Sequence, residues 1–188
     1  LKRTPRRLGS RDRHALVDTR PGAGNNSFPA NRRANIVIDH HPDPARVDAD
    51  FADIFDDPGC CTTRVLEYFE ALGGKMDASL ATAIVYALIS ETQDLGREAT
   101  PRDIQAYHRV LPRARLPMLG QIRHPTRDRE YYRTIARAMQ AVQVGRNTCV
   151  CHIGNIPYPE VVGEVADLLV AMERISWCLV TGHTQRVT

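Results

Sequence analysis

Apolar positions along the chain form two kinds of run, short continuous ones and longer ones at helical spacing, arranged as in an α/β protein. His14-Ala15-Leu16-Val17 is a short apolar run closed by Asp18, and Thr19 to Asn26 follows with dense turn chemistry from Pro21, Gly22 and Gly24. Asn35-Ile36-Val37-Ile38 is a second, β-branched run, closed by Asp39. Both are expected as strands of a sheet that deliver acidic residues to one carboxyl edge. Past the acidic stretch from Asp48 to Asp57, the positions Val65, Leu66, Phe69 and Leu72 recur at helical spacing until Gly73-Gly74 closes the helix. From Ala78 to Ser90 the chain is apolar almost all round, which predicts a helix buried on most sides. Thr100-Pro101 reads as the cap and first turn of another.

The region from Arg109 to Thr126 is interrupted by Pro112, Pro117 and Pro125 and should hold only short helical pieces, before a longer helix from Arg127 to Val144. After Gly145 the pattern changes to strand (148–153), helix (157–172) and strand (176–181). The expected layout is a doubly wound, parallel-sheet α/β domain over 1–124, a linker helix over 125–144, and the start of a second, smaller α/β domain over 145–188. Two strands make too small a sheet to stand alone, so that second domain is expected to be incomplete.

Composition narrows the class. A chain of 188 residues with 43% hydrophobic content can bury a real core. It has no apolar run of membrane-spanning length and no secretory hydrophobic region. Its five cysteines fall as Cys60-Cys61, Cys149 with Cys151, and Cys178, which is not the framework of a secreted disulfide scaffold, so reduced thiols and a cytoplasmic location are expected. The net charge of +3 is concentrated in the opening segment, from Lys2 to Arg13, which could help hold a polyanion or be a solvated end. Adjacent Cys60 and Cys61 at a helix start leave two readings open, lowered thiol pKa values or ordinary packing. Tyr131 and Tyr132 leave base stacking or helix packing open in the same way.

The chemistry lies in Asp39-His40-His41, directly after the second strand and before Pro42. Carboxylate and imidazole donors without cysteine suit Mn²⁺ or Mg²⁺. Val17-Asp18, then Ile38-Asp39-His40-His41-Pro42, then Asp94 after a buried helix resemble successive motifs of the DHH phosphoesterase family, and the loop from Asp18 to Asn26 resembles its nano-RNase and adenosine-bisphosphate phosphatase branch. The resemblance implies metal-dependent hydrolysis of short oligonucleotides or 3′-phosphonucleotides by two-metal activation of water. It implies that Asp18 bridges two Mn²⁺ or Mg²⁺ ions, that His40 and Asp94 complete the shell of one of them, and that His41 faces the phosphate. Asp39 would orient the imidazole of His40. Asn25 and Asn26 would present amides to the substrate, which would lie between the two domains.

The family's first motif, an upstream strand with further acidic ligands, has only Asp12 and His14 as candidates here, and the glycine-rich motif of the C-terminal domain is missing. The expectation is therefore a fragment of a longer enzyme, inactive as it stands. The alternatives are a catalytically silent nucleotide-binding or regulatory relative, or another branch of the family acting on polyphosphate, pyrophosphate or cyclic dinucleotides. A homodimer is compatible with the chain, and no membrane partner is expected.

Overall fold

A computed structural model describes residues 12–42 and 47–184. The basic opening segment read above, up to Arg11, lies outside the described residues. The chain divides into two compact units between His124 and Pro125.

In the first unit, β1 (Ala15–Val17), β2 (Ala34–Asp39) and β3 (Ala49–Ile54) form a parallel sheet in that order. Pairing of Val17 with Ile38 and of Asp39 with Ile54 brings Asp18, Asp39 and the residues after them out at one edge. Val37 and Ile38 are buried as the continuous β-branched run of a central strand requires. The fold is α/β with a parallel sheet, as expected, but the connection from Asp18 to Arg33 contains no helix, because Pro21, Gly22, Gly24 and Pro29 break any helical run. The helices instead follow β3: α1 (Cys61–Ala71), α2 (Ala78–Glu91), α3 (Pro101–Val110) and α4 (Leu116–Arg123), with a 3₁₀ turn at Leu111–Arg113. Leu66, Val85, Leu88, Ala106 and Val110 form their common core. Thr100 and Asp103 close the expected cap of α3 as a capping box.

Strand β3 hides in what reads as an acidic stretch. It tolerates its carboxylates because each finds a donor: Asn35 Nδ2 bonds Asp50 at 2.6 Å, Tyr68 Oη bonds Asp53 at 2.6 Å, and Arg64 Nε lies 3.1 Å from Asp53. These pairs let a mostly exposed edge strand form without an apolar signature.

In the second unit, β4 (Gln143–Val144) pairs antiparallel with β5 (Thr148–Asn155), which pairs parallel with β6 (Trp177–His183). One sheet face packs Cys149, Cys151 and Ile153 against α6 (Val161–Val170) and against Ala138 of α5 (Arg129–Ala141). The helix read as a linker therefore contributes to this unit's core. It stops at Ala141, with Val142 already extended, and the β-branched Val144 enters a strand instead. Cys149 and Cys151 are packing residues, while His152 points to the other face and stacks on His183. Tyr131 packs in the core under the Arg127 guanidinium, and Tyr132 is exposed.

Candidate metal centre

The ends of β1 and β2 build the site. Asp18, the first residue past β1, takes a left-handed backbone with φ +62, and its N–H donates to Ile38 O at 2.9 Å. Aspartate is among the few side chains that tolerate this conformation. The bend turns its carboxylate toward His40, whose ring is set by stacking near Phe55 at 6.1 Å and edge-on against His41 at 4.8 Å. His40 Nε2 then lies 3.2 Å from Asp18 Oδ1 and 3.9 Å from Glu91 Oε1. Both Asp18 Oδ1 and His40 Nε2 are buried, and neither has a hydrogen-bond partner among the described residues. A buried, unpartnered carboxylate oxygen is costly. Their separation suits adjacent donors on one divalent ion, which sit about 3.0 to 3.4 Å apart when each bond is about 2.1 Å. The donor set thus fits a divalent cation.

Beside this group lies a second, differently organised one. Asp39 is buried, accepts from Arg20 Nε at 2.6 Å and meets His41 Nδ1 at 2.8 Å. Burial pushes the Asp39 carboxyl up, but the hydrogen bonds from His41 and Arg20, with the Arg20 charge, overcome it and hold the group below the usual carboxylate range. The hydrogen bond to Asp39 pushes the His41 imidazole up, against burial. Arg20 also donates to His41 O, which ties the strand end to the loop. Asp39 therefore orients His41, not His40 as the sequence suggests. The two imidazoles meet edge to edge with ring centroids 4.8 Å apart, and His41 is the one whose Nδ1 reaches Asp39, while its ligand atoms and those of Asp18 and Asp39 also lie within 4.8 Å of one another.

Asp94 is not brought to the centre. Gln93, Asp94 and Leu95 all take positive φ after the end of α2. The Asp94 carboxylate accepts from Arg123 Nη2 at 2.7 Å, in a separate recess of 230 Å³ shared with Tyr86 and Ser90. Glu91 stands where Asp94 was expected. The signal was in the helical period: Leu80, Ile84, Ala87 and Glu91 form one stripe of α2, and all four line a 420 Å³ cavity with Asp18. Arg20 was also missed, since a loop arginine carries no periodic signal. Cys61, in the first turn of α1, completes a group with Asp18 and His40 whose ligand atoms all lie within 4.8 Å of one another.

The remaining expected residues serve the loop. Asn26 Nδ2 donates to Arg20 O at 2.9 Å and to Thr19 Oγ1, and Asn26 Oδ1 accepts from Phe28 N. Asn25 Oδ1 accepts from the Thr19 hydroxyl. His14 lies at the far end of β1, about 13 Å from Asp18 at a strand rise of about 3.3 Å per residue, packed on Phe28.

Known proteins resemble the chain in fold or in sequence. The chain resembles an exopolyphosphatase-related protein from Bacteroides fragilis, with a TM-score of 0.60 at 12% identity over 76% of this chain and 45% of that one. The two share a fold. In sequence, the uncharacterized protein MJ1633 of Methanocaldococcus jannaschii is 27% identical over 149 residues, which is 79% of this chain and 31% of that protein. The chain thus corresponds to less than half the length of either. No family model matches it. Among the described residues, no helix is long and apolar enough to cross a membrane.

Proposed function

We propose that this chain carries the metal-binding half of a phosphoester hydrolase of the DHH type, with Asp18, His40 and Glu91 as ligands of a divalent cation, Mn²⁺ or Mg²⁺ in the family's usage. The observation that carries this reading is the orphaned pair Asp18 Oδ1 and His40 Nε2, 3.2 Å apart at a sheet edge, with a carboxylate of α2 next to them. Supporting it are the parallel order of the strands that deliver these groups and the fold shared with an exopolyphosphatase-related protein.

When bound, a divalent cation polarises a phosphoryl oxygen and acidifies water. The chain's own residues divide the rest of the work. Asp18 would also serve a second ion, as the family resemblance implies. The hydrogen bond to Asp39 raises the pKa of the His41 imidazole and orients it as a donor toward a phosphoryl group at the same edge. Arg20 fixes Asp39 and, through His41 O, the position of that donor. The substrate we favour is a short oligonucleotide or a 3′-phosphonucleotide, on the resemblance of the loop from Asp18 to Asn26. Titration calorimetry of the full chain with Mn²⁺ tests the centre: binding in the wild type and its loss in His40→Ala are expected. Equal binding by the two proteins overturns the reading. Phosphate release from short oligoribonucleotides, adenosine bisphosphate and polyphosphate then ranks the substrates.

A further inference from the structure

Cys61 belongs to no part of the chemistry just described, yet its sulfur is one of three ligand atoms gathered within 4.8 Å at the end of β1 and β2. We propose that Cys61 is a thiolate donor to the cation held by Asp18 and His40, and that this makes the centre select a thiophilic divalent ion of the zinc class over Mg²⁺. The inference rests on the metal-binding reading above and goes beyond it in naming the donor that sets metal preference.

Three observations carry it. The first is distance. A sulfur and an imidazole nitrogen on one tetrahedral ion sit about 3.5 Å apart for bonds of about 2.3 and 2.1 Å, which the spacing of the group allows. The second is the orphaned state of the two partners, since Asp18 Oδ1 and His40 Nε2 are buried with no hydrogen-bond partner among the described residues. The third is placement. Cys61 is 5% exposed in the first turn of α1, and its sulfur lies 3.7 Å from Ile38 O at the end of β2.

The thiol donates weakly to that carbonyl. A cation held by Asp18 and His40 would favour the thiolate at this position. The sulfur–metal bond forms as the S–H proton passes to solvent, with no change of oxidation state. Soft thiolate favours zinc-class ions over Mg²⁺, which takes oxygen donors. Neighbouring Cys60 is a built-in control, because its sulfur faces Thr63 and Asp103 at 3.5 Å instead.

The test is a Co²⁺ titration of the full chain followed by absorption. A thiolate-to-cobalt charge-transfer band in the near ultraviolet is expected in the wild type and in Cys60→Ser, and absent in Cys61→Ser. In the same series the preference for Zn²⁺ over Mg²⁺ should fall at least tenfold in Cys61→Ser. Cobalt d–d bands without the charge-transfer band in the wild type overturn the role of Cys61 while leaving the Asp18 and His40 site standing. A charge-transfer band that survives Cys61→Ser overturns it as well. Absence of any cobalt spectrum removes the site itself, and the role of Cys61 with it. If Cys61→Ser does not fold, Cys61→Ala takes its place in the same titration.

Discussion

Arg20 Nε stands 2.6 Å from Asp39 Oδ2, and the two side chains are 4% and 1% exposed, so a loop between strands is fastened to the central strand by a buried ion pair. The pair sits beside the candidate centre and, through Asp39, holds His41. Removing one member leaves the other charge buried, which costs about 3–5 kcal/mol, whereas the pair itself need not add net stability. Arg20→Met should therefore lower the urea unfolding free energy by roughly that amount. The double variant Arg20→Met with Asp39→Leu should recover a substantial part of the loss. If the single variant unfolds like the wild type, the buried pair is not as described.

The positions of Glu91 and Asp94 make opposite predictions for two carboxylates three residues apart. Glu91→Gln removes a charged donor next to His40 and should weaken Mn²⁺ binding by at least tenfold, about 1.4 kcal/mol. Asp94→Asn breaks only an exposed contact with Arg123 and should leave binding within about twofold. Calorimetric titration of both variants checks the assignment, and the reverse order of effects would return the ligand role to Asp94.

The elements whose burial is one-sided or complete were legible in the sequence. Strand β2 announces itself by Ile36-Val37-Ile38, and α2 by its near-continuous apolar run. Strand β3 was not legible, because its carboxylates are satisfied by Asn35, Tyr68 and Arg64, partners that lie far off along the chain. Within the site, Asp18 and His40 could be found because each follows directly on a strand whose direction is set by parallel pairing. Glu91 and Asp94 could not be told apart by motif spacing alone. Glu91 falls on the α2 stripe that lines the cavity with Asp18, whereas Asp94 follows in a left-handed turn and pairs with Arg123, and backbone choices of that kind leave no periodic trace. The pairing of Asp39 with His41 has the same origin, since sequence puts both imidazoles equally near the carboxylate.

Gly59 positions the start of α1, and with it Cys61. A Cβ at this position would lie 2.0 Å from Glu98 O and 3.0 Å from Asp103 Oδ2. The first is a backbone atom and cannot rotate away, so Gly59→Ala must displace either the segment around Glu98 or the first turn of α1. The expected outcome is a fall in thermal midpoint, with the cobalt charge-transfer band weakened or lost relative to wild type. An unchanged midpoint with an unchanged band would show that the close approach of Gly59 to Glu98 is absent in solution.

Asp103 gives the clearest dependence of stability on pH away from the centre. Its carboxylate is fully buried and accepts from Gly59 N, Thr100 N, Thr100 Oγ1 and Thr63 Oγ1. Burial raises the pKa of this group, but the bonds from Thr63, Thr100 and Gly59 outweigh it and hold the value below the ordinary 3.8. A carboxyl whose folded pKa lies below its unfolded one contributes stability that is fully present above the unfolded value. That contribution is lost as pH falls through the folded value. Asp103→Ala removes the acceptor from several buried donors at once, each worth about 1–3 kcal/mol when orphaned. The variant should thus be less stable than wild type at pH 7 by about 3 kcal/mol or more. The part of the deficit that is due to ionisation should then shrink below pH 3.8, where protonation weakens the same network in the wild type. Urea midpoints at pH 7, 5 and 3 measure this, and a deficit that grows toward acid would mean that the buried carboxyl is held protonated by its surroundings instead.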